Sequence, residues 1–210
     1  MPAATYFIAL QPDANLTNRL QATKSSIYEI AGPQLYLDHP PHLTLYVGAF
    51  DGVQRLEAAL GRLAASTTAP ELNLVGWHAF MNDVLTGQHT LVCELAAHTG
   101  PVLRQIQHLV VSVSAPLRDV AATAARFTGK QEQLSAERRA AIEMVGFPFL
   151  GDDWQPHLTV ASIRPADWER AWKAVAEHPI RGLFMCPELK LYRLDDGHPV
   201  EMSAWPLHLT

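Results

Sequence analysis

Two short segments of this chain repeat the same residue types in the same order: Pro41-His42-Leu43-Thr44-Leu45 and Pro156-His157-Leu158-Thr159-Val160. In an extended strand, residues i and i+2 share a face. His42 therefore projects with Thr44, and His157 with Thr159, while Leu43, Leu45, Leu158 and Val160 turn towards apolar packing. An imidazole titrates near pH 6.5, so at neutral pH one ring can take a proton while another gives one. Each of these roles contributes roughly 10²- to 10⁴-fold to a rate. A threonine hydroxyl can donate to a non-bridging phosphoryl oxygen, where charge has to be held. If the two segments meet about a pseudo-dyad, two imidazoles and two hydroxyls converge on one concave surface. That set suits a phosphodiester and calls for no metal and no cofactor.

The signal stands above chance. The chain has ten histidines, and its composition makes the expected number of His-Leu-Thr tripeptides on the order of a tenth. Three occur, at 42, 157 and 208. The last, His208-Leu209-Thr210, has no apolar continuation and no helix after it, so it reads as a decoy at a chain end. His39 and His42 are three apart, but Pro40-Pro41 lies between them and no second cluster completes a metal site.

The elements that must position the motifs follow from hydrophobic periodicity. Tyr6 to Leu10 reads as a buried strand, and Leu16, Leu20, Ile27 and Ile30 suggest a helix ended by Gly32-Pro33. His42 to Val47 is the first motif strand. Asp51, with Gln54 three residues on, is expected to cap a helix with Val53, Leu56, Leu60 and Leu63 on one face. Strands at Leu72 to Phe80 and Thr90 to Ala96 follow, then a helix from Thr99 with Val102, Ile106, Leu109 and Val113 on its face. Residues 114–134 are less regular, and Ser135 to Val145 forms a helix broken at Gly146-Phe147-Pro148. His157 to Ile163 is the second motif strand. Pro165 opens a helix carrying Trp168, Trp172 and Val175. Leu183 to Leu194 and Val200 to Leu207 form a final strand pair. The two motifs start 115 residues apart, each followed by a helix and two strands, which suggests an internal duplication.

With 210 residues, 48% hydrophobic and 18% charged, the chain can bury a real core as one domain spanning 1–210, with room for two lobes. A net charge of −5 lacks the basic excess of proteins that live on long duplex nucleic acid. A nucleotide substrate is expected to be short and locally held. Cys93 and Cys186 form neither a metal spacing nor a disulfide framework and read as small buried residues. Met1 to Leu10 lacks a signal-peptide pattern, and no segment approaches the ~20 apolar residues of a membrane span. A cytoplasmic monomer without a membrane partner is the expectation.

The paired motifs resemble the H-x-T-x signatures of the 2H phosphoesterase superfamily, most closely its 2′-5′ RNA ligase and cyclic phosphodiesterase group. Tyr6 to Pro12 resembles that group's opening strand, and Val47-Gly48 resembles its strand ending after the first motif. The resemblance implies an α+β fold of two pseudo-symmetric lobes, each with a mainly antiparallel sheet and helices, around a central cleft. It implies metal-independent chemistry on 2′,3′-cyclic phosphates or 2′-5′ linked oligonucleotides. It assigns catalysis to His42 and His157 and phosphate contacts to Thr44 and Thr159. By analogy, His157 would be the base and His42 the acid. Two departures stand out. His42 to Gly48 is one residue shorter than many ligase-type members, with Tyr46 where Phe is usual, and the arginine after the second motif comes only at Arg164.

Tyr46 shares the His42 face by parity, and Trp154 lies three residues before His157. Either could stack on an unpaired base, or belong to core or rim. Arg118, Arg126, Lys130, Arg138 and Arg139 form a basic stretch in which an arginine could clamp a second phosphate; otherwise it is a solvated face. The leading expectation is hydrolysis of a 2′,3′-cyclic phosphate on a nucleotide or short RNA. Alternatives are 2′-5′ ligation or 2′-5′ oligonucleotide cleavage, and a nucleotide- or RNA-binding module without turnover. What orients the two imidazoles stays open; Asp38, Asp152 and Asp153 are near only in sequence.

Overall fold

An apolar run at each end of the chain and a pair in its middle sort into two sheets. The computed structural model describes residues 3–209, apart from the side chain of Gln131. The elements in chain order are β1 (Ala4–Gln11), α1 (Ala14–Ala31), β2 (Leu43–Phe50), α2 (Gln54–Ala64), β3 (Glu71–Phe80), β4 (His89–Leu95), α3 (Gly100–Ser114), α4 (Val120–Ala125), α5 (Ala136–Val145), β5 (His157–Ile163), α6 (Trp168–Val175), β6 (Gly182–Met185), β7 (Glu188–Asp195) and β8 (His198–Pro206). One sheet has the order β2-β1-β7-β8 and the other β5-β4-β3-β6. Every neighbouring pair is antiparallel. This is the two-lobed α+β fold that the family resemblance implies. No helix among the described residues is long and apolar enough to cross a membrane.

The helices tie the lobes together. α1 lies against α6 and the strand β5 of the other lobe, and α3 lies against α2 and β2. One apolar core runs through both sheets, from Ile8, Leu43 and Leu45 to Leu91, Leu158 and Val160. α1 starts where the Asp13 carboxylate accepts from the Leu16 amide at 2.9 Å, a cap worth about 1 kcal/mol. It ends at Gly32, whose φ of 68° favours a residue without Cβ.

Four expectations need correction. α2 begins after Val53 with no side-chain cap, so Asp51 does not start it. On α3 the buried face is Leu103, Ile106, Gln107, Val110 and Val111, whereas Val102 and Leu109 are exposed. The polar Gln107 disguises that stripe: its amide is buried and donates to the carbonyls of Leu45 and Phe149. The strand expected over 183–194 breaks at Cys186-Pro187 into β6 and β7, which join different sheets. Proline cannot donate to a ladder, and there the chain crosses between lobes. The duplicated halves therefore do not map onto the lobes. β3 and β4 follow the first motif yet build the sheet of the second, and the chain's two ends close the sheet of the first. At the third His-Leu-Thr copy, His208 forms a bridge with Thr68, and Thr210 lies outside the described residues.

Candidate active site

The motif strands are equivalent by topology. β2 is the outer strand of one sheet and β5 the outer strand of the other, and the two edges lie against each other between the lobes. His42 immediately precedes β2, and His157 opens β5. The pseudo-dyad thus brings both histidines together, close enough for a charge on His157 to act on His42. Thr44 and Thr159 sit half-buried one pleat along.

Each imidazole is oriented by its own backbone. His42 Nδ1 donates to the Pro40 carbonyl at 2.7 Å, and His157 Nδ1 donates to the Gln155 carbonyl at 2.7 Å. A carbonyl can only accept, so both rings carry the proton on Nδ1 and offer the Nε2 lone pair. In both copies the intervening residue is proline, Pro41 or Pro156, which holds the residue before it extended and sets the aim of its carbonyl. None of the three aspartates orients a ring. Asp38 pairs with His198, Asp152 with Arg104 and Asp153 with Arg138.

Aromatic rings back the histidines. Phe7 lies 4.7 Å from the His42 ring and stacks on Tyr192 at 4.8 Å, while Phe80 meets His157 edge-on at 5.2 Å. Burial against these rings pushes His42 down to about 3, opposed by the Pro40 bond and reinforced by the neighbouring His39 ring and the Lys24 ammonium. Burial lowers His157 as well, opposed by the Gln155 bond and the negative charge of Asp83. Both rings are neutral at pH 7 in the free protein.

Each motif strand bulges directly after its threonine. Ala9 faces Thr44 but Ile8 faces Tyr46, so Leu45 is the extra residue; Val92 faces Thr159 but Leu91 faces Ala161, so Val160 is the extra one. A bulge reverses the alternation beyond it. Tyr46 is for that reason not on the His42 face. It is fully buried, its hydroxyl donates to the Val145 carbonyl at 2.6 Å, and its ring meets Phe147. Val47 takes its place beside Phe7 and Tyr192. Trp154 is 4% exposed within the main core and cannot stack on a base either.

The basic stretch is mostly structural. Arg118 donates to the carbonyls of Ala115, Glu143 and Met144; Lys130 donates to the Leu85 carbonyl, Arg139 to that of Leu134, and Arg138 makes a two-point pair with Asp153. Arg164 is engaged by Asp167. Arg126 is half-buried, with a buried Nη1 lacking a partner among the described residues.

Three features escape sequence reasoning. The stacked Phe7 and Tyr192 come from strands whose register is not legible in advance. A groove of about 510 Å³ borders Pro40 and Pro41 and is lined by Gln11, Thr17, Lys190 and Tyr192. It lies on the face of β1 and β7 that carries Phe7. Lys24 did leave a signal: it interrupts the otherwise apolar stripe of Leu16, Leu20, Ile27 and Ala31. It is 5% exposed and donates to the carbonyls of Tyr36 at 2.5 Å and His39 at 2.7 Å. Burial pushes its ammonium down to about 8, opposed by Asp38. Among the described residues no three His, Cys, Asp or Glu gather into a metal-ligating group.

A family model described as the 2′-5′ RNA ligase superfamily matches residues 12–198. No curated protein matches the sequence. Among solved structures, TT0787 of Thermus thermophilus shares 18% identity over 97% of each chain with a TM-score of 0.58. E. coli LigT complexed with NADP⁺ shares 16% identity over 98% of each chain with a TM-score of 0.55. At such identities the likeness is one of fold.

Proposed function

The chain belongs to the 2′-5′ RNA ligase superfamily, and from that premise we propose that it is a phosphodiesterase that opens 2′,3′-cyclic phosphates on a nucleotide or short RNA. The observation that carries this reading is the matched pair of imidazoles, each locked by an identical Nδ1 bond to the carbonyl two residues back. Water attacks phosphorus as one Nε2 takes its proton. The other ring, protonated on Nε2, gives a proton to the departing ribose oxygen, and the product is a monophosphate. Thr44 and Thr159 donate to the non-bridging oxygens, where charge is held in the transition state.

The electrostatics favour one order of roles. His42 is depressed to about 3 by burial, with the Lys24 ammonium adding to the effect, whereas His157 has Asp83 to favour its charged form. Held neutral at rest, His42 is assigned the role of proton acceptor, and His157, whose charged form Asp83 favours, that of donor, the reverse of the order suggested by analogy. The bound phosphate anion itself raises the acid's affinity for its proton. In the ligation direction the two exchange roles.

The groove beside Pro40 and Pro41 has the size of small-molecule sites and is proposed to seat the nucleoside. E. coli LigT, of the same fold, has been crystallised with 3′-AMP and with ATP, ligands of the class proposed here. The reading is tested by chromatographic assay of the four 2′,3′-cyclic nucleotides and a 2′-5′ linked dinucleotide. Opening of the cyclic esters is expected. Cleavage of the dinucleotide alone would move the substrate to 2′-5′ linkages, and binding without any turnover would leave a binding module.

A further inference from the structure

We propose that Lys24 is a positioning residue for His42: its ammonium holds the loop whose Pro40 carbonyl fixes the His42 tautomer. This role rests on the reading of His42 as a catalytic base. The loop runs from Tyr36 to Pro41, and its last two residues are prolines. Neither has an N–H, so the segment entering His42 cannot be anchored through its own amides. The His39 ring reaches the Gly197 carbonyl and Asp38 pairs with His198, while the backbone itself is held through its carbonyls: Lys24 donates to the one immediately before the prolines, that of His39, at 2.7 Å. Its second bond, 2.5 Å, goes to Tyr36. That residue has a φ of 68°, a conformation that side-chain-bearing residues rarely adopt. The Tyr36 carbonyl also accepts from the His39 amide at 3.2 Å, closing the turn.

An ammonium buried against carbonyls, with Asp38 as an unbonded counter-charge, is costly, and an apolar residue at 24 would complete the α1 stripe. What Lys24 supplies is a fixed pair of donors under the loop. The second motif has no such arrangement. There the segment before Gln155 is held by packing, with Trp154 in the core and Asp153 paired with Arg138. The two rings therefore differ in how they respond to a change at position 24.

The test uses ¹⁵N-histidine-labelled full-length protein and long-range ¹H–¹⁵N spectra, which report the tautomer of each ring without any substrate. In the wild type both rings are expected as Nδ1–H. In Lys24→Met, His42 is expected to become a mixture or the Nε2–H form, while His157 stays Nδ1–H as an internal control of folding. With a cyclic nucleotide, kcat is expected to fall between about tenfold and a hundredfold, the usual effect of losing a partner that orients a functional histidine, with KM little changed. A folded Lys24→Met with His42 still Nδ1–H, or a shifted tautomer with unchanged kcat, overturns the proposal. If Lys24→Met does not fold, Lys24→Gln, whose amide donates but reaches less far, is expected to show the same shift and is judged the same way. A tautomer shift in a protein whose wild type turns over no cyclic phosphate supports the positioning role and overturns the activity instead.

Discussion

Burying His42 as a neutral ring links its titration to stability. An imidazole held at about 3 in the folded chain but near 6.5 when unfolded binds fewer protons in the fold between those values. Its contribution is present above pH 6.5 and is lost as pH falls towards 3. At pH 4.5 the loss amounts to about 2 to 3 kcal/mol, since each pKa unit is worth ~1.4 kcal/mol. His157, also lowered, adds in the same direction. The perturbation is His42→Asn, whose amide keeps a donor for the Pro40 carbonyl but cannot titrate. Urea unfolding of both proteins at pH 7.0 and pH 4.5 isolates the effect, because the carboxylates are common to both. The wild type is expected to lose about 2 to 3 kcal/mol more than the variant on acidification, with equal m-values. Parallel losses would refute the burial argument and with it the claim that His42 is neutral and poised as a base.

Other outcomes are equally specific. Lys24 at about 8 implies that its own contribution to stability rises by about 1 kcal/mol between pH 8 and 9, because the unfolded lysine still holds its proton there. The buried thiols of Cys93 and Cys186, pushed up by burial, pull the other way over the same range but equally in both proteins, so the wild type is expected to gain about 1 kcal/mol relative to Lys24→Met in denaturant melts. Tyr46→Phe removes the donor to the half-buried Val145 carbonyl and is expected to cost about 1 kcal/mol in melts while kcat and KM stay put. A change confined to KM would restore Tyr46 to the substrate site. Phe80→Ala admits water to His157 and raises it towards its ordinary value, so the basic limb of the kcat/KM profile, which reports the acid, should move to higher pH. An unmoved limb would show that Phe80 does not set the desolvation of His157.

The motif strands were more legible than the surroundings of their histidines. The two Pro-His-Leu-Thr copies fix both motif strands and the inward pairs His42/Thr44 and His157/Thr159, but the backbone bonds that orient the rings were not read from them. Parity failed beyond the threonines because a bulge inserts a residue that sequence does not announce, and Tyr46 turned from cleft to core. Trp154 was ambiguous for the reason that a large aromatic serves core and binding surface alike. Strand order was hidden because β6 and β7 are contiguous in sequence but belong to different sheets, with Pro187 as the sole sign of the crossing. Phe7, Tyr192 and Phe80 reach the histidines only through that order. Lys24 was visible as one charge in an apolar stripe, but its partners in the loop were not.

Two imidazoles acting as one unit are the centre of the proposed mechanism, and the most direct measurement follows 2′,3′-cyclic nucleotide opening by phosphorus NMR in the wild type, His42→Ala, His157→Ala and the double variant, each with EDTA present. Each single substitution is expected to cost between about 10² and 10⁴-fold, with the double variant hardly worse than the poorer single one, as for groups that share one step. Near-wild-type turnover by either single variant, or additive losses in the double, would contradict the paired mechanism.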